Sequence, residues 1–418
     1  MPAERQRRVV ITGLGLITAV GNDVASNWEA MLSGVSGCAT ITAFDPSDLP
    51  VRFAAEVKNF DPTDYLDRKE VKRTDRFTHF ALAATAQAME SAGLGVTPDI
   101  PPDRFGVITG SGIGGITTLE EQHKVYLNRG AERVSPFFVP MFIADIAPGL
   151  IAMKYGAKGP NYTTISACAS GAHAVGNAFY LIRNGVADVM VTGGAESSVT
   201  PLTMAGFASM KAISARNDTP ETASRPFDAT RDGFVLGEGC GMVMLEELEF
   251  AKARGARIIA EVVGYGQTAD AHHITAPAPE GEGAQRAMRL ALADAGAQAT
   301  DVDYINAHGT STPLNDLSET QAIKKVFGEH AYNMVVGSTK SMTGHTLGAA
   351  GGVEAAICAL VVDEGKIPPT INFSQPDPGC DLNYAHNKMI ERPVRLSLTN
   401  SFGFGGHNVC LAIKRWEG

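Results

Sequence analysis

Thr163-Thr164-Ile165-Ser166-Ala167-Cys168-Ala169-Ser170-Gly171-Ala172 decides how the chain is read. A β-branched run ends at the cysteine, and a helical pattern of small and apolar residues begins at once, over residues 169–183. The turn between them sets a thiol near the positive end of a helix dipole, where the thiolate is favoured. A dipole of about 1–2 kcal/mol would lower the thiol pKa by roughly one unit. Backbone N–H groups at the same turn can hold a developing oxyanion. A lone cysteine is ordinarily a buried structural residue; its position on a strand-to-helix turn is what marks Cys168 out.

Around that turn lies a chain of 418 residues, 44% hydrophobic and 19% charged, enough for a large core in two coupled halves. The 45 glycines and the Ala-rich helical stretches suit elements that pack closely. The first residues are basic but run directly into a strand, so no signal peptide is expected. No stretch is long and apolar enough to span a bilayer. A net charge of −10 argues against nucleic acid as the main partner. Six cysteines without CxxC or paired spacing fit a reducing, cytoplasmic compartment and offer no zinc site.

Upstream, residues 8–15 read as a buried strand and glycine turn, and residues 69–92 as one amphipathic helix. Arg68, Lys69, Lys72 and Arg73 crowd its first turn, a run whose ordinary reading is a solvated face. The strand 104–109 enters Gly110-Ser-Gly112-Ile-Gly-Gly115, which matches GxGxxG. The acid expected about 20 residues further on is missing, so a dinucleotide fold is rejected. Residues 135–155, apolar with internal proline, read as a buried loop and helix, and 188–196 as a strand.

Gly255 divides an N-terminal half, 1–254, from a C-terminal half, 255–418. In the second half a strand over 302–306 delivers Ala307-His308-Gly-Thr-Ser-Thr312. Another, over 334–338, delivers Thr339-Lys340-Ser-Met-Thr-Gly-His345 to a small-residue helix over 349–364. The end reads as a strand pair around Phe402-Gly-Phe404-Gly-Gly-His407. Each half thus carries a strand, a polar turn and a Gly/Ala-rich helix, an internal duplication of pattern in α/β layers. Taken singly, a loop histidine is usually structural and a lysine usually superficial. Together Cys168, His308, His345 and Lys340 fit a thiol nucleophile with two imidazole donors under a glycine-rich lid.

Four ordered motifs carry a resemblance that runs the full length: Thr164-Ile-Ser-Ala-Cys168-Ala-Ser-Gly, Asn306-Ala-His308-Gly-Thr-Ser-Thr312, Lys340-Ser-Met-Thr-Gly-His345-Thr-Leu-Gly-Ala-Ala-Gly and Asn400-Ser-Phe-Gly-Phe404-Gly-Gly-His407-Asn. In these the chain resembles the β-ketoacyl-acyl carrier protein synthases, the condensing enzymes of fatty acid synthesis. The resemblance implies a thiolase-like five-layered αβαβα fold and a homodimer. It implies that Cys168 carries the growing acyl chain as a thioester. A malonyl group on acyl carrier protein is then decarboxylated and condensed onto that chain.

By the same resemblance the amides of Cys168 and Phe404 form an oxyanion hole. His308 and His345 hold the enolate oxygen, Lys340 orients His345 and keeps it neutral, and Glu354 supports the network. Thr310 and Thr312, with Thr275, bind the phosphopantetheine arm; a threonine could equally cap a turn. Phe402 and Phe404 gate the acyl pocket, and Ile113 narrows it. Lys69, Lys72, Arg73, Arg133 and Lys211 dock the acidic carrier, with Glu132 weakening that patch. His407 stands where many relatives carry threonine. No cofactor or metal is implied, the phosphopantetheine arriving on the substrate.

Rival readings differ at named positions. A thiolase would carry a cysteine in the C-terminal glycine loop, and a starter-unit or chalcone-type synthase would pair Cys and His with Asn; His345 argues against both. A non-catalytic chain-length subunit would lack Cys168. A catalytic ketosynthase subunit of a polyketide pathway stays open at this point.

Overall fold

The computed structural model describes residues 7–95 and 98–418. Ten strands form its main sheet: β1 (Val9–Ile17), β2 (Phe105–Gly110), β3 (Asn161–Thr164), β4 (Val189–Glu196), β5 (Gly239–Glu247), β6 (Ala260–Ala269), β7 (Tyr304–Asn306), β8 (Val335–Gly337), β9 (Leu396–Gly403) and β10 (His407–Arg415). Their spatial order is β8-β7-β9-β10-β6-β1-β5-β4-β2-β3. Read from each edge inward, the first five strands run β3-β2-β4-β5-β1 and the last five β8-β7-β9-β10-β6. Adding five to each label of one half gives the other. Directions repeat too: β3, β2 and β4 are mutually parallel, as are β8, β7 and β9, and the two inner pairs of each half are antiparallel. The halves meet where β1 and β6 pair antiparallel over Val9–Val262, Val10–Glu261 and Ile11–Ala260. The duplication of pattern seen in sequence is thus a duplication of topology.

The helices that matter for the site are α1 (Arg68–Val71), α2 (Arg76–Ser91), α3 (Phe138–Phe142), α4 (Ile146–Tyr155), α5 (Ser170–Arg183), α6 (Glu282–Ala295), α7 (Pro313–Phe327), α8 (Lys340–Thr343) and α9 (Ala350–Glu364). α2 covers β1 and β5 from outside, and α6 covers β6 and β10 in the matching place. Between the half-sheets lie α5 and α9, and α9 packs on β4 and β5 of one half and on β9 and β10 of the other. The layers are therefore helix, sheet, helix, sheet, helix.

The sequence of α9 explains its place at the centre. It is apolar all round, and residues 350–362 are all buried, as a helix with sheet on both sides requires. Gly351 and Gly352 allow the close approach. A Cβ on Gly351 would lie 2.2 Å from the Ala172 nitrogen, and one on Gly352 2.3 Å from the Gly241 carbonyl.

Two expectations are corrected. The stretch 69–92 is not one helix: it breaks at residues 72–75, where Asp75 caps the N-terminus of α2 by accepting from the Phe77 amide. Lys72 and Arg73 therefore lie on an exposed turn beside the short α1. Residues 135–145 are not buried: no residue of α3 is, and Val139 is 59% exposed. Burial resumes in α4 at Ala147, Pro148, Ile151 and Tyr155. Among the described residues no helix is long and apolar enough to cross a membrane.

Candidate active site

Cys168 sits between the end of β3 and the start of α5, in a turn braced by its own polar residues. The Ser170 hydroxyl donates to the Ala167 carbonyl at 2.7 Å and accepts from the Ser166 amide at 2.9 Å. The Thr164 hydroxyl donates to the Ser170 carbonyl at 2.7 Å. Ala167 is held at φ +51°, left-handed backbone that costs an alanine on the order of 1 kcal/mol and turns the next side chain sharply out of the strand. Gly403 of the lid presses on this turn; a Cβ there would come 2.6 Å from the Ser166 carbonyl.

The matching turn of the second half carries the other groups. β8 ends at Gly337, α8 begins at Lys340, and His345 follows before α9. The His345 amide donates to the Val235 carbonyl at 2.7 Å. His308 follows β7, and its amide and that of Gly309 each donate to Glu319 of α7 at 2.8 Å. Cys168 Sγ and one ring nitrogen from each of His308 and His345 all lie within 4.8 Å of one another. The two imidazoles meet edge to face, centroids 5.3 Å apart. Phe234 meets His345 edge to face, and Phe402 packs at a tilt against His308.

Electrostatics follow from burial. Both imidazoles are held well below the ordinary histidine pKa, first by desolvation and then by the Lys340 charge. They are neutral at pH 7, each with one N–H to give, and the Nδ1 atom of each has no protein partner among the described residues. Lys340 is 2% exposed and pairs with Glu354, equally buried on α9. Burial pushes Glu354 up to about 7 against that pairing.

The expectation of a favoured thiolate is corrected: burial pushes Cys168 up to about 12. The Lys340 charge, the Phe404 N–H and the residue's own N–H pull the other way without offsetting it. Alkylation of Cys168 by iodoacetamide, followed on its peptide by mass spectrometry, is therefore expected to rise about tenfold per pH unit between about pH 7 and 9. A rate that levels off below about pH 8 would contradict a neutral resting thiol.

One cavity of about 580 Å³ joins these groups to solvent. Cys168, His308, His345, Ile113, Phe402, Phe404, Thr275, Thr310 and Thr312 all line it, as do the exposed Lys211 and Leu314. Thr310 and Thr312 hydroxyls are 2.9 Å apart. The lid between β9 and β10 is tied down from outside: the Gly405 amide donates to the Ile274 carbonyl at 2.8 Å, and Asn408 donates to Asp270 at 2.7 Å. The His407 ring lies under the lid, 6.5 Å from His173. Lys69, Lys72, Arg73 and Arg133 are exposed and do not line the cavity. Arg73 stacks on Phe137 at 4.4 Å, which brings the α1 cluster beside the segment that holds Arg133.

Two buried acids escaped the sequence reading. Glu319 anchors the His308 loop and also accepts from Asn400 at 3.1 Å. Glu196 ends β4 beneath the glycine loop 110–115. Their partners are mostly backbone amides, which leave no motif; an acid closing an apolar strand is the one available signal. Buried side-chain oxygens of Asn306, Glu354, Asn400 and Ser401 lack protein partners among the described residues, a donor type suited to a hard cation.

Comparisons with known proteins extend over nearly the whole chain. A family model described as beta-ketoacyl synthase, N-terminal domain, matches residues 6–251, and one described as beta-ketoacyl synthase, C-terminal domain, matches 259–374. The chain is 54% identical over 412 residues to a 3-oxoacyl-[acyl-carrier-protein] synthase 2 of Synechocystis sp., covering 99% of each. It is 51% identical over 413 residues to a protein of the same description from Staphylococcus aureus, again covering 99% of each. A solved type II PKS ketosynthase, bound to a hexaketide and in complex with its acyl-carrier protein, superposes with a TM-score of 0.91 at 34% identity, covering 99% of this chain and 100% of that one.

Proposed function

The chain belongs to the beta-ketoacyl synthase family, and we propose that Cys168, His308 and His345 divide its reaction between them. The protein is a condensing acyltransferase of fatty acid elongation: it extends an acyl chain with malonyl-acyl carrier protein, releasing carbon dioxide and 3-oxoacyl-acyl carrier protein. The observation that carries the division of labour is the convergence of one sulfur and two neutral imidazoles within 4.8 Å on one cavity.

In the first step Cys168 gives up its proton and attacks the thioester carbonyl of the acyl donor. The carbon–sulfur bond to the carrier breaks, and the carrier thiol leaves protonated. The Cys168 and Phe404 amides receive the oxyanion, a role supported by their approach to the sulfur. The malonyl thioester then enters past Thr310, Thr312 and Thr275. As its carbon–carbon bond breaks, carbon dioxide departs and the electron pair moves onto the thioester oxygen. Neutral N–H donors from His308 and His345 stabilise that enolate. Lys340, five residues before His345, orients that ring, and its charge keeps both rings unprotonated. The enolate carbon attacks the acyl carbonyl on Cys168, the new carbon–carbon bond forms, and the sulfur leaves as a thiolate that takes a proton from water. Phe402, Phe404 and Ile113 shape the acyl pocket, and Glu354 balances Lys340.

Acyl carrier protein docks on Lys69, Lys72, Arg73, Arg133 and Lys211. A local positive patch can steer an acidic partner to a chain of net charge −10. Reversing Lys69 and Arg73 to glutamate is expected to lower kcat/KM for carrier substrates about tenfold at low salt and to flatten its salt dependence. Unchanged carrier turnover and salt dependence would remove those residues from the docking surface.

The working unit is a homodimer joined along β3. This strand is a sheet edge, Ile165 just beyond it is 66% exposed, and Met153 is 70% exposed. Asn161 and Thr163 donate to the Pro148 and Ala144 carbonyls, which holds the exposed α3–α4 segment alongside. An open sheet edge flanked by exposed apolar side chains in this way suits pairing with a second copy of the strand. Val139→Glu with Met153→Glu is expected to shift sedimentation from two chains to one; an unaltered mass would place the interface elsewhere. The six free cysteines fit the cytoplasm.

A further inference from the structure

Glu196 makes no contact with the cavity, yet it holds together two of its walls. Its Oε2 accepts from the Gly112 amide at 2.6 Å and from the Gly348 amide at 3.0 Å. Its Oε1 accepts from the Ile113 amide and the Ser111 hydroxyl, both at 3.2 Å. Ser111 in turn accepts from the Gly114 amide at 3.1 Å. One carboxylate, fully buried, therefore fixes the turn that presents Ile113 and the turn that presents Leu347, and both of those side chains line the cavity beside Cys168.

The sequence around it is cut to fit. A Cβ on Gly112 would lie 2.9 Å from Glu196 Oε2, and one on Gly348 would lie 2.7 Å from the same atom and 2.2 Å from the Gly112 nitrogen. The two loops can close on the carboxylate only because neither position carries a side chain. Burial pushes Glu196 up to about 7, while the four donors act to hold it ionised. A buried carboxylate is strongly disfavoured without such donors, so the four of them are what allow an acid at this position.

We propose that Glu196 is a positioning residue for acyl-chain selectivity, setting the width of the pocket by locking the backbone under Ile113. This rests on the reading of Cys168 as the acyl-carrying thiol. Glu196→Gln tests it selectively. An amide that keeps its oxygen at the Gly112 and Gly348 side retains those two bonds. Its NH₂ then faces Ser111, whose hydroxyl can turn to accept, and the Ile113 N–H, which loses its acceptor. The Ile113 wall is released while the Leu347 wall stays tied.

The experiment measures kcat/KM for a series of acyl-carrier donors of increasing chain length, after mass spectrometry has looked for the acyl thioester on the Cys168 peptide. Glu196→Gln is expected to shift the long-to-short ratio about three- to tenfold toward longer chains, mainly through KM. In an Ile113→Ala background the same substitution is expected to add no further shift, because the wall it releases has already been removed. Ser111→Ala should produce a smaller shift in the same direction, and it serves if Glu196→Gln does not fold. A uniform loss at every chain length, an unaltered ratio, or a shift that persists without the Ile113 side chain would each overturn the proposal. Absence of any adduct on Cys168 in the unsubstituted protein would instead overturn the reading of that thiol, and this proposal with it.

Discussion

Cys168→Ala is expected to abolish condensation while decarboxylation of malonyl-acyl carrier protein continues. The thiol alone can hold the acyl chain, so its loss removes the electrophile onto which the enolate must add. The fall in 3-oxoacyl product should be on the order of 10⁶, the scale seen when a nucleophile is deleted from an otherwise intact site. The fold should persist. Cys168 is set among Ala167, Ala169 and Ser170, and exchanging it for alanine removes one sulfur from a wall already built of small residues, at about 1 kcal/mol. Both halves of the result are read in one assay, with carbon dioxide release followed beside product mass. Product formation by the variant at the unsubstituted rate would end the assignment. Loss of carbon dioxide release along with product would show that the thiol also serves the decarboxylation step.

His308→Ala and His345→Ala are expected to give the complementary result. Each removes one N–H donor from a dry site, where such a donor is worth about 10²–10³ in rate. Carbon dioxide release should fall by that factor in each variant, and condensation should fall with it because no enolate forms. Loading of the acyl chain onto Cys168 should continue, since the oxyanion of that step is received by backbone amides. The contrast separates the two imidazoles from the thiol within one set of proteins. An imidazole variant that releases carbon dioxide normally, or that no longer loads an acyl chain, would break the division of roles.

The parts of this site that could be read from sequence share one property: each lies where a β-branched run gives way to small residues. Cys168 follows β3, His308 follows β7, and Lys340 and His345 follow β8, each in a turn where the strand pattern gives way to small and polar residues. What stayed hidden depends on contacts that pattern does not encode. Glu196 and Glu319 work through backbone amides of distant loops, and any residue can supply an amide. The thiolate expectation failed because a helix end was weighed without the desolvation that a closed central layer imposes on Cys168. Residues 135–145 were read as interior because they are apolar, although apolar surface also marks where chains meet. The break before α2 was legible in principle, since Asp75 precedes an apolar run in the manner of a helix cap.

The central position of α9 also bears on how the protein comes to exist. Translation supplies the first five strands and α5 long before residues 350–364 leave the ribosome, so β5 and the part of β4 that α5 leaves open must wait for α9. During that interval the nascent chain leaves part of an apolar sheet face uncovered. A truncated product ending near the middle would remain in that condition, prone to aggregate and dependent on chaperones. Completion of the reactive centre and escape from that hazard then arrive together, with the last third of synthesis.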